Sequence, residues 1–494
     1  MSAEFIYLET HLYWGGRWRA PAREAWFTVH DPATGRPIGR TALAGVDDVD
    51  HAVAAAQAAR PAWQSIHASE RAAILHRAAD LIESRKLEIA RVLTAEQGKP
   101  VPDSVKEIGF GVQVLRFYAE EGRRLGGSLR PASTHGVKNI VSYHPVGVAA
   151  GIVPWNYPVD LYCWKVGPAL AAGCPIIVKP PHETPFAITR VVECFQEAGL
   201  PSGVLANLPG TGIEVGAALA RHSGIAMLSA TASIPAGQDI ARNAAGNLKR
   251  LSLELGGQAP FIVLPDADIE LAASAALRRS FSNMGQICIA VNRILVHRAV
   301  HGRFLDALAA QTEAIVLGHG LDPGVAYGPV LNRSVVTRVQ SHITDALAKG
   351  GRLIVGGHAP TLDGLEGGHF FRPTLIDAAP LDCLAMTAET FGPLAAVRAF
   401  DTLDEMLSIA NGLEFGLAAY VYTEDLELGW SVADRLEFGT VGLNVNDTSE
   451  LQAPFGGWKL SGYGRELGRE GLEAYLEAKF TKMRVRELRG SREG

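Results

Sequence analysis

Apolar residues recur every three or four positions from Asp47 to about Gln97, through VDDVDHAVAAAQAARPAWQSI and then ASERAAILHRAADLIESRKLEIARVLTAEQ. That period predicts long amphipathic helices. From Gly126 to Tyr143 the pattern changes. Pro131, Ser133, Thr134 and Gly136 punctuate short alternating runs such as VKNIVSYH, which read either as a protruding β-hairpin or as an ordinary surface loop. Between about Val146 and Gly257 strand and helix patterns alternate. VGVAAGIV reads as a buried strand, the stretch after Pro158 as a helix, CPIIVKP as a strand, and PFAITRVVECFQEAG as a helix closed by Gly199. VLANLPG, IAMLSAT and LSLELGG add three short apolar strands, and a second alternating region runs from about Pro260 to Leu443. Strands alternating with helices of this length predict an α/β fold whose parallel sheet is covered on both faces and binds nucleotides at its carboxyl edge. The tail FTKMRVRELRGSREG alternates apolar and basic residues, the pattern of an edge strand followed by a disordered end.

The chain has 494 residues, 47% of them hydrophobic, enough for two or three ordinary cores. Its 46 basic and 52 acidic residues leave a net charge of −6, which offers no electrostatic reason to expect nucleic acid or an anionic membrane as partner. No stretch approaches the roughly 18 apolar residues of a membrane-spanning helix. The opening MSAEFIYLETHLYWGG carries Glu4 and Glu9 and has no unbroken apolar run, so it does not read as a secretory signal. A cytoplasmic protein acting on small molecules is the expectation. Cys163, Cys174, Cys194, Cys288 and Cys383 are an odd, scattered set without a CxxC pair, which argues against a disulfide framework or a zinc site.

Three short stretches carry candidate chemistry. In SNMGQICIA, Cys288 follows the turn-prone Gly285 and Gln286; by itself a free cysteine is more often a small core residue, but a nucleophile needs such an accessible setting. In LELGG, Glu254 ends an apolar strand, where a carboxylate buried without a partner gains the raised pKa of a general base; alone, it reads equally as a cap or an ion-pair partner. In PWNYP, two prolines bracket Asn156 in a rigid turn that either aims its amide at an oxyanion or is merely a turn.

Taken together, PWNYP, VKP, LELGG, GQIC 34 positions after the glutamate (288 minus 254), ETFGP and PFGGWKLSGYGRE resemble the aldehyde dehydrogenase superfamily in order and spacing, across nearly the whole chain. The resemblance implies a three-part subunit. Residues 1–125 and 144–256 would form a nucleotide-binding domain, 257–450 a catalytic α/β domain, 126–143 with 479–494 an oligomerising β-arm, and 451–478 a return to the cofactor domain. It also implies NAD(P)-dependent oxidation of an aldehyde to an acid by a homodimer or homotetramer. Cys288 would be the nucleophile, Asn156 the oxyanion donor, Glu254 the base that hydrolyses the thioester, and Lys165 a further catalytic residue.

The same resemblance assigns cofactor contacts to Val153, Pro154, Trp155, Lys179, His182, Gly212, Ser233, Glu254, Leu255, Glu389 and Phe391. At Ser233 the wording ATASIPAG departs from the family's FTGSTxxG through Ala230, Ala232 and Ile234. His182 stands where NAD-preferring members commonly carry a glutamate, so acceptance of NADP is expected unless neighbouring Glu183 restores discrimination. The aldehyde tunnel is assigned to Tyr157, Asp160, Leu161, Trp164, Ile287, Ile289 and Ser449. These segments contain no arginine, which argues against a semialdehyde with a distal carboxylate. The presence of Glu254 argues for transfer of the acyl group to water rather than to coenzyme A.

Overall fold

The computed structural model describes residues 7–485. Five short strands in chain order, Ala149–Ile152, Ile176–Lys179, Leu205–Asn207, Met227–Thr231 and Arg250–Glu254, pair in parallel. Their spatial order places the last two on one side of Ala149–Ile152 and the second and third on the other. Every residue of the first four is buried, as expected where helices cover both faces. The strand order therefore reverses beside Ala149–Ile152, and a ligand crevice opens beyond the carboxyl ends at that point. Leu12–Trp14 and Arg17–Arg19 extend one edge antiparallel, and Gly462–Tyr463 closes the other against Arg250–Glu254.

The second alternating region forms a seven-stranded sheet in the order Arg352–Val355, Thr374–Asp377, Leu394–Phe400, Val291–His297, Ala259–Val263, Ala418–Tyr422 and Thr440–Leu443. Only the Arg352–Val355 edge runs antiparallel. Ser128–Arg130, Val137–Pro145 and Leu476–Arg484 make a separate antiparallel sheet in which Leu476–Arg484 lies along Val137–Pro145 for its whole length. Gly126 to Tyr143 thus contains a hairpin rather than a plain loop. The disordered end expected of the tail falls largely outside the described residues.

The helical region differs from expectation in two places. The second predicted helix divides into Ala68–Ser84 and Lys86–Gln97, because Arg85 leaves helical geometry at φ −104°, ψ 9°. A further helix, Val101–Arg123, follows the expected end at Gln97. Its glycines lie where it meets the Pro158–Ala172 helix: a methyl group on Gly111 would press on Cys163 Sγ, and one on Gly122 on Ala171. Another small sheet, Leu8–Thr10, Pro37–Ala42 and Trp26–His30, was not expected. Among the described residues no helix is long and apolar enough to cross a membrane, and no cluster of side chains forms a metal site.

Candidate active site

Two cavities of about 290 and 240 Å³ meet where the two large sheets face each other, and Asn156, Thr231, Glu254 and Cys288 line both. Three of these four stand at or just past the carboxyl ends of first-sheet strands. Thr231 and Glu254 are the final residues of their strands, and Asn156 lies in the turn after Ala149–Ile152. Cys288 comes from the other side, in the loop entering the Val291–His297 strand.

That loop is unusual backbone. Asn283, Met284 and Gly285 follow one another with φ of +48°, +56° and +70°. Only the glycine adopts this region freely; each of the others costs on the order of 1–3 kcal/mol. The cost is offset by bonds that also fix the oxyanion candidate. Asn283 Nδ2 donates to the Asn156 carbonyl at 3.0 Å, and Gln97 Nε2 donates to Asn283 Oδ1 at 3.0 Å. Asn156 Nδ2 donates to the Gln286 carbonyl at 2.9 Å, so one N–H of the amide is held and the second is free. Beneath the same turn, the fully buried Lys99 donates to Glu107 at 2.5 Å and to the Asn156 carbonyl at 2.7 Å. Glu107 in turn accepts the Val159 amide at 2.9 Å, anchoring the start of the Pro158–Ala172 helix.

Cys288 is partly open, yet its thiol is pushed up to about 12, first by burial and then by the carboxylates of Glu389 and Glu254; its own amide and that of Ile289 act in the opposite direction. The sequence led to an expectation of a setting where thiolate forms, and the surroundings oppose it. Glu254 is buried and its carboxyl lies well above the usual range, again chiefly through burial and next through Glu466. Neither of its oxygens has a well-formed hydrogen bond; the Gly457 amide offers a weak one.

Lys165 lines neither cavity. It is fully buried behind the wall, donating to Thr231 Oγ1 and to Glu466 Oε1, each at 2.8 Å. Expected as a further catalytic residue, it reaches the cavities only through Thr231 and Glu466, and its charge opposes the rise at Glu254.

The smaller cavity is lined by Pro154, Trp155, Ser233, Leu255, Glu389 and Phe391 among others. Ser233 stands at the N-cap position of the Ile234–Ala244 helix without a side-chain cap bond; Pro235 lacks an N–H, so the Ile234 and Ala236 amides are the free first-turn donors. Glu389 accepts the Gly257 amide at 3.0 Å and is raised to about 7, mainly by burial. The carboxylate packs directly over Gly256, where a Cβ would displace it. Arg338 donates to the Thr390 carbonyl at 2.7 Å and supports Phe391, itself at φ +47° and edge-on to Trp155. Val153, Lys179, His182 and Gly212 line neither cavity. Lys179 donates to the Pro180 and Gly210 carbonyls, and burial lowers its pKa to about 8. His182 packs edge-on against Phe27, and its Nδ1 lies 3.4 Å from Glu183 Oε2 without a proper hydrogen bond; burial lowers its pKa.

The larger cavity is lined by Tyr157, Asp160, Leu161, Trp164, Ile287, Ile289 and Ser449, the full set assigned to the tunnel. It also receives residues the sequence did not single out, including Lys106 and Phe110 from Val101–Arg123, Arg278 and Arg279 from the Ile269–Phe281 helix, and Phe455. The segments assigned to the tunnel contain no arginine, as the sequence shows, but Arg278 and Arg279 reach the cavity from a different helix, which weakens the argument against a distal carboxylate. Arg279 is already matched, however, by Asp447 at 3.0 Å and by the Asn446 carbonyl.

The aldehyde dehydrogenase family model matches residues 18–481. A succinate semialdehyde dehydrogenase of Acinetobacter baylyi is 42% identical over 453 residues, 92% of this chain and 93% of that one. An Escherichia coli succinate-semialdehyde dehydrogenase named for NADP(+) is 40% identical over 465 residues, 94% of this chain and 96% of the relative. The solved succinate-semialdehyde dehydrogenase from Burkholderia pseudomallei superposes with a TM-score of 0.94 at 40% identity, covering 98% of this chain and all of that one. With its fold, its motifs and its relatives in agreement, the chain belongs to the aldehyde dehydrogenase family.

Proposed function

We propose that this protein oxidises an aldehyde to a carboxylic acid through a thioester on Cys288, with NAD or NADP as hydride acceptor. The observation that carries the reading is the shared wall. A substrate cavity and a second cavity meet at one nucleophile, one amide donor and one unpaired carboxylate.

The smaller cavity suits a dinucleotide. Glu389 and Phe391 would hold the nicotinamide ribose, and the amides beyond Ser233 the pyrophosphate, where the helix terminus favours an anion. Lys179 would reach the adenosine ribose from the far end. When bound, the nicotinamide supplies an acceptor for the hydride that leaves the substrate carbon.

The chain's own groups do the rest. Cys288 Sγ bonds to the aldehyde carbon as its proton passes to Glu254, whose affinity for a proton burial raises. The resulting oxyanion is met by the free Asn156 N–H and the Cys288 amide; one such donor is typically worth about 3 kcal/mol. After hydride loss, Glu254 passes that first proton to solvent and, a carboxylate again, takes a proton from water as the water oxygen attacks the thioester carbon. The C–S bond then breaks, and the departing thiolate recovers a proton from Glu254, leaving acid and thiol.

The test is aldehyde-dependent reduction of NAD(P), followed by the absorbance of the reduced nicotinamide. Cys288→Ala is expected to abolish it. Glu254→Gln is expected to slow both the first turnover, which loses the acceptor of the Cys288 proton, and the release of acid from the thioester. Full activity in Cys288→Ala would refute the mechanism.

A further inference from the structure

Resting on that aldehyde-oxidising reading, we propose that the tunnel selects aldehydes bearing a positive charge beyond the carbonyl, an ammonium or quaternary ammonium, and that Asp160 sets this preference.

Six carboxylates line the larger cavity. Four have a cation: Asp103 pairs with Lys106, Glu107 with Lys99, Asp447 with Arg279, and Glu466 with Lys165. Glu254 is the base proposed above. Asp160 is left, without a cationic partner among the described residues. It stands in the first turn of the Pro158–Ala172 helix, where its Oδ1 accepts Trp164 Nε1 at 2.7 Å, a bond that fixes the rotamer. Its Oδ2 has no partner among the described residues and is not sealed off, so this is the oxygen left for a ligand. An unpaired carboxylate in such a place is costly when ionised, and burial accordingly pushes its pKa up, with Glu107 adding to the effect. A ligand cation removes that cost, whereas a ligand carboxylate increases it.

The surroundings favour the same charge. Trp164 lies edge-on to Phe455 at 5.2 Å and 6.3 Å from Phe110, all three lining the cavity with Asp160. Aromatic faces attract ammonium groups, tryptophan most strongly. One face of Tyr157 is already taken by the Lys99 ammonium, 3.7 Å from the ring centre. Of the basic residues, Arg279 and Lys106 are paired, so the exposed Arg278 is the one left to receive a distal carboxylate.

The experiment compares kcat/KM for 4-(trimethylammonio)butanal, its uncharged isostere 5,5-dimethylhexanal, and succinic semialdehyde. The wild type is expected to prefer the cation over the isostere by about tenfold or more, and Asp160→Asn to collapse that ratio. A preference for succinic semialdehyde that Arg278→Ala removes would overturn the proposal. So would a cation preference that survives Asp160→Asn. Binding is read separately on Cys288→Ala, by tryptophan fluorescence with (3-hydroxypropyl)trimethylammonium against 4,4-dimethylpentan-1-ol. Selective binding of the cation without turnover in the wild type would sink the reaction reading and uphold this one. Indifferent binding beside normal turnover would do the reverse.

Discussion

Cys288 shows how a reactive group can be poised without being ionised. With its thiol pushed up to about 12, the thiolate fraction grows tenfold per pH unit throughout the neutral range. In the protein without cofactor, alkylation of Cys288 by iodoacetamide is expected to climb about tenfold per unit from pH 7 to 9. A plateau below pH 8 would contradict the raised value. His182 supports a second residue-scale prediction. Because it replaces a carboxylate with an imidazole that burial keeps neutral, kcat/KM with NADP is expected within about a hundredfold of that with NAD, a difference of about 2.7 kcal/mol. His182→Glu should widen the gap in favour of NAD. Cys288, Glu254 and Asn156 were legible in the sequence because each sits in a short contiguous motif. Arg278, Phe110 and Phe455 were not, since nothing in an amphipathic helix or a glycine-rich turn says which cavity its side chains will reach.

At the scale of elements, the turn holding Asn156 is built from three separate pieces of chain. The Lys99–Glu107 pair grips it from below, and the left-handed run at Asn283 grips it from the side. Removing one member of a buried pair leaves the other charge uncompensated, at about 3–5 kcal/mol. Lys99→Met is expected to lower the unfolding free energy by that amount in a denaturant titration, and to reduce kcat more than KM. Pairing it with Glu107→Gln should restore part of the stability. A single variant as stable as the wild type would show that the pair is not structural. Sequence periodicity found the parallel strands, whose buried runs are bounded by prolines and glycines. It stopped short of Val101–Arg123, because the glycines through which that helix packs look like breaks in the pattern until the Pro158–Ala172 helix is seen against them.

For the whole molecule, the three-stranded arm exposes Leu129 and Phe480 at 74% and 61% of their surface, large apolar side chains on a sheet with no covering layer among the described residues. A homo-oligomer that buries this arm is the expected solution state. Phe480→Asp is expected to shift the mass measured by light scattering toward the monomer, and an unchanged mass would place the interface elsewhere. The chain reaches the Leu476–Arg484 strand of this arm, through the short helix Gly468–Glu473, from the Gly462–Tyr463 edge, which closes the first sheet beside Glu254. That closure has a consequence for biosynthesis. The ribosome delivers the four other strands of the parallel set, and Glu254 itself, more than two hundred residues before the outer strand that completes the sheet (462 minus 254). The second large sheet must therefore emerge while the first still has an open edge beside Glu254. A chain that stops short of Phe455 carries both Cys288 and Glu254, but lacks Gly456 and Gly457, the residues that lie against the Glu254 carboxylate.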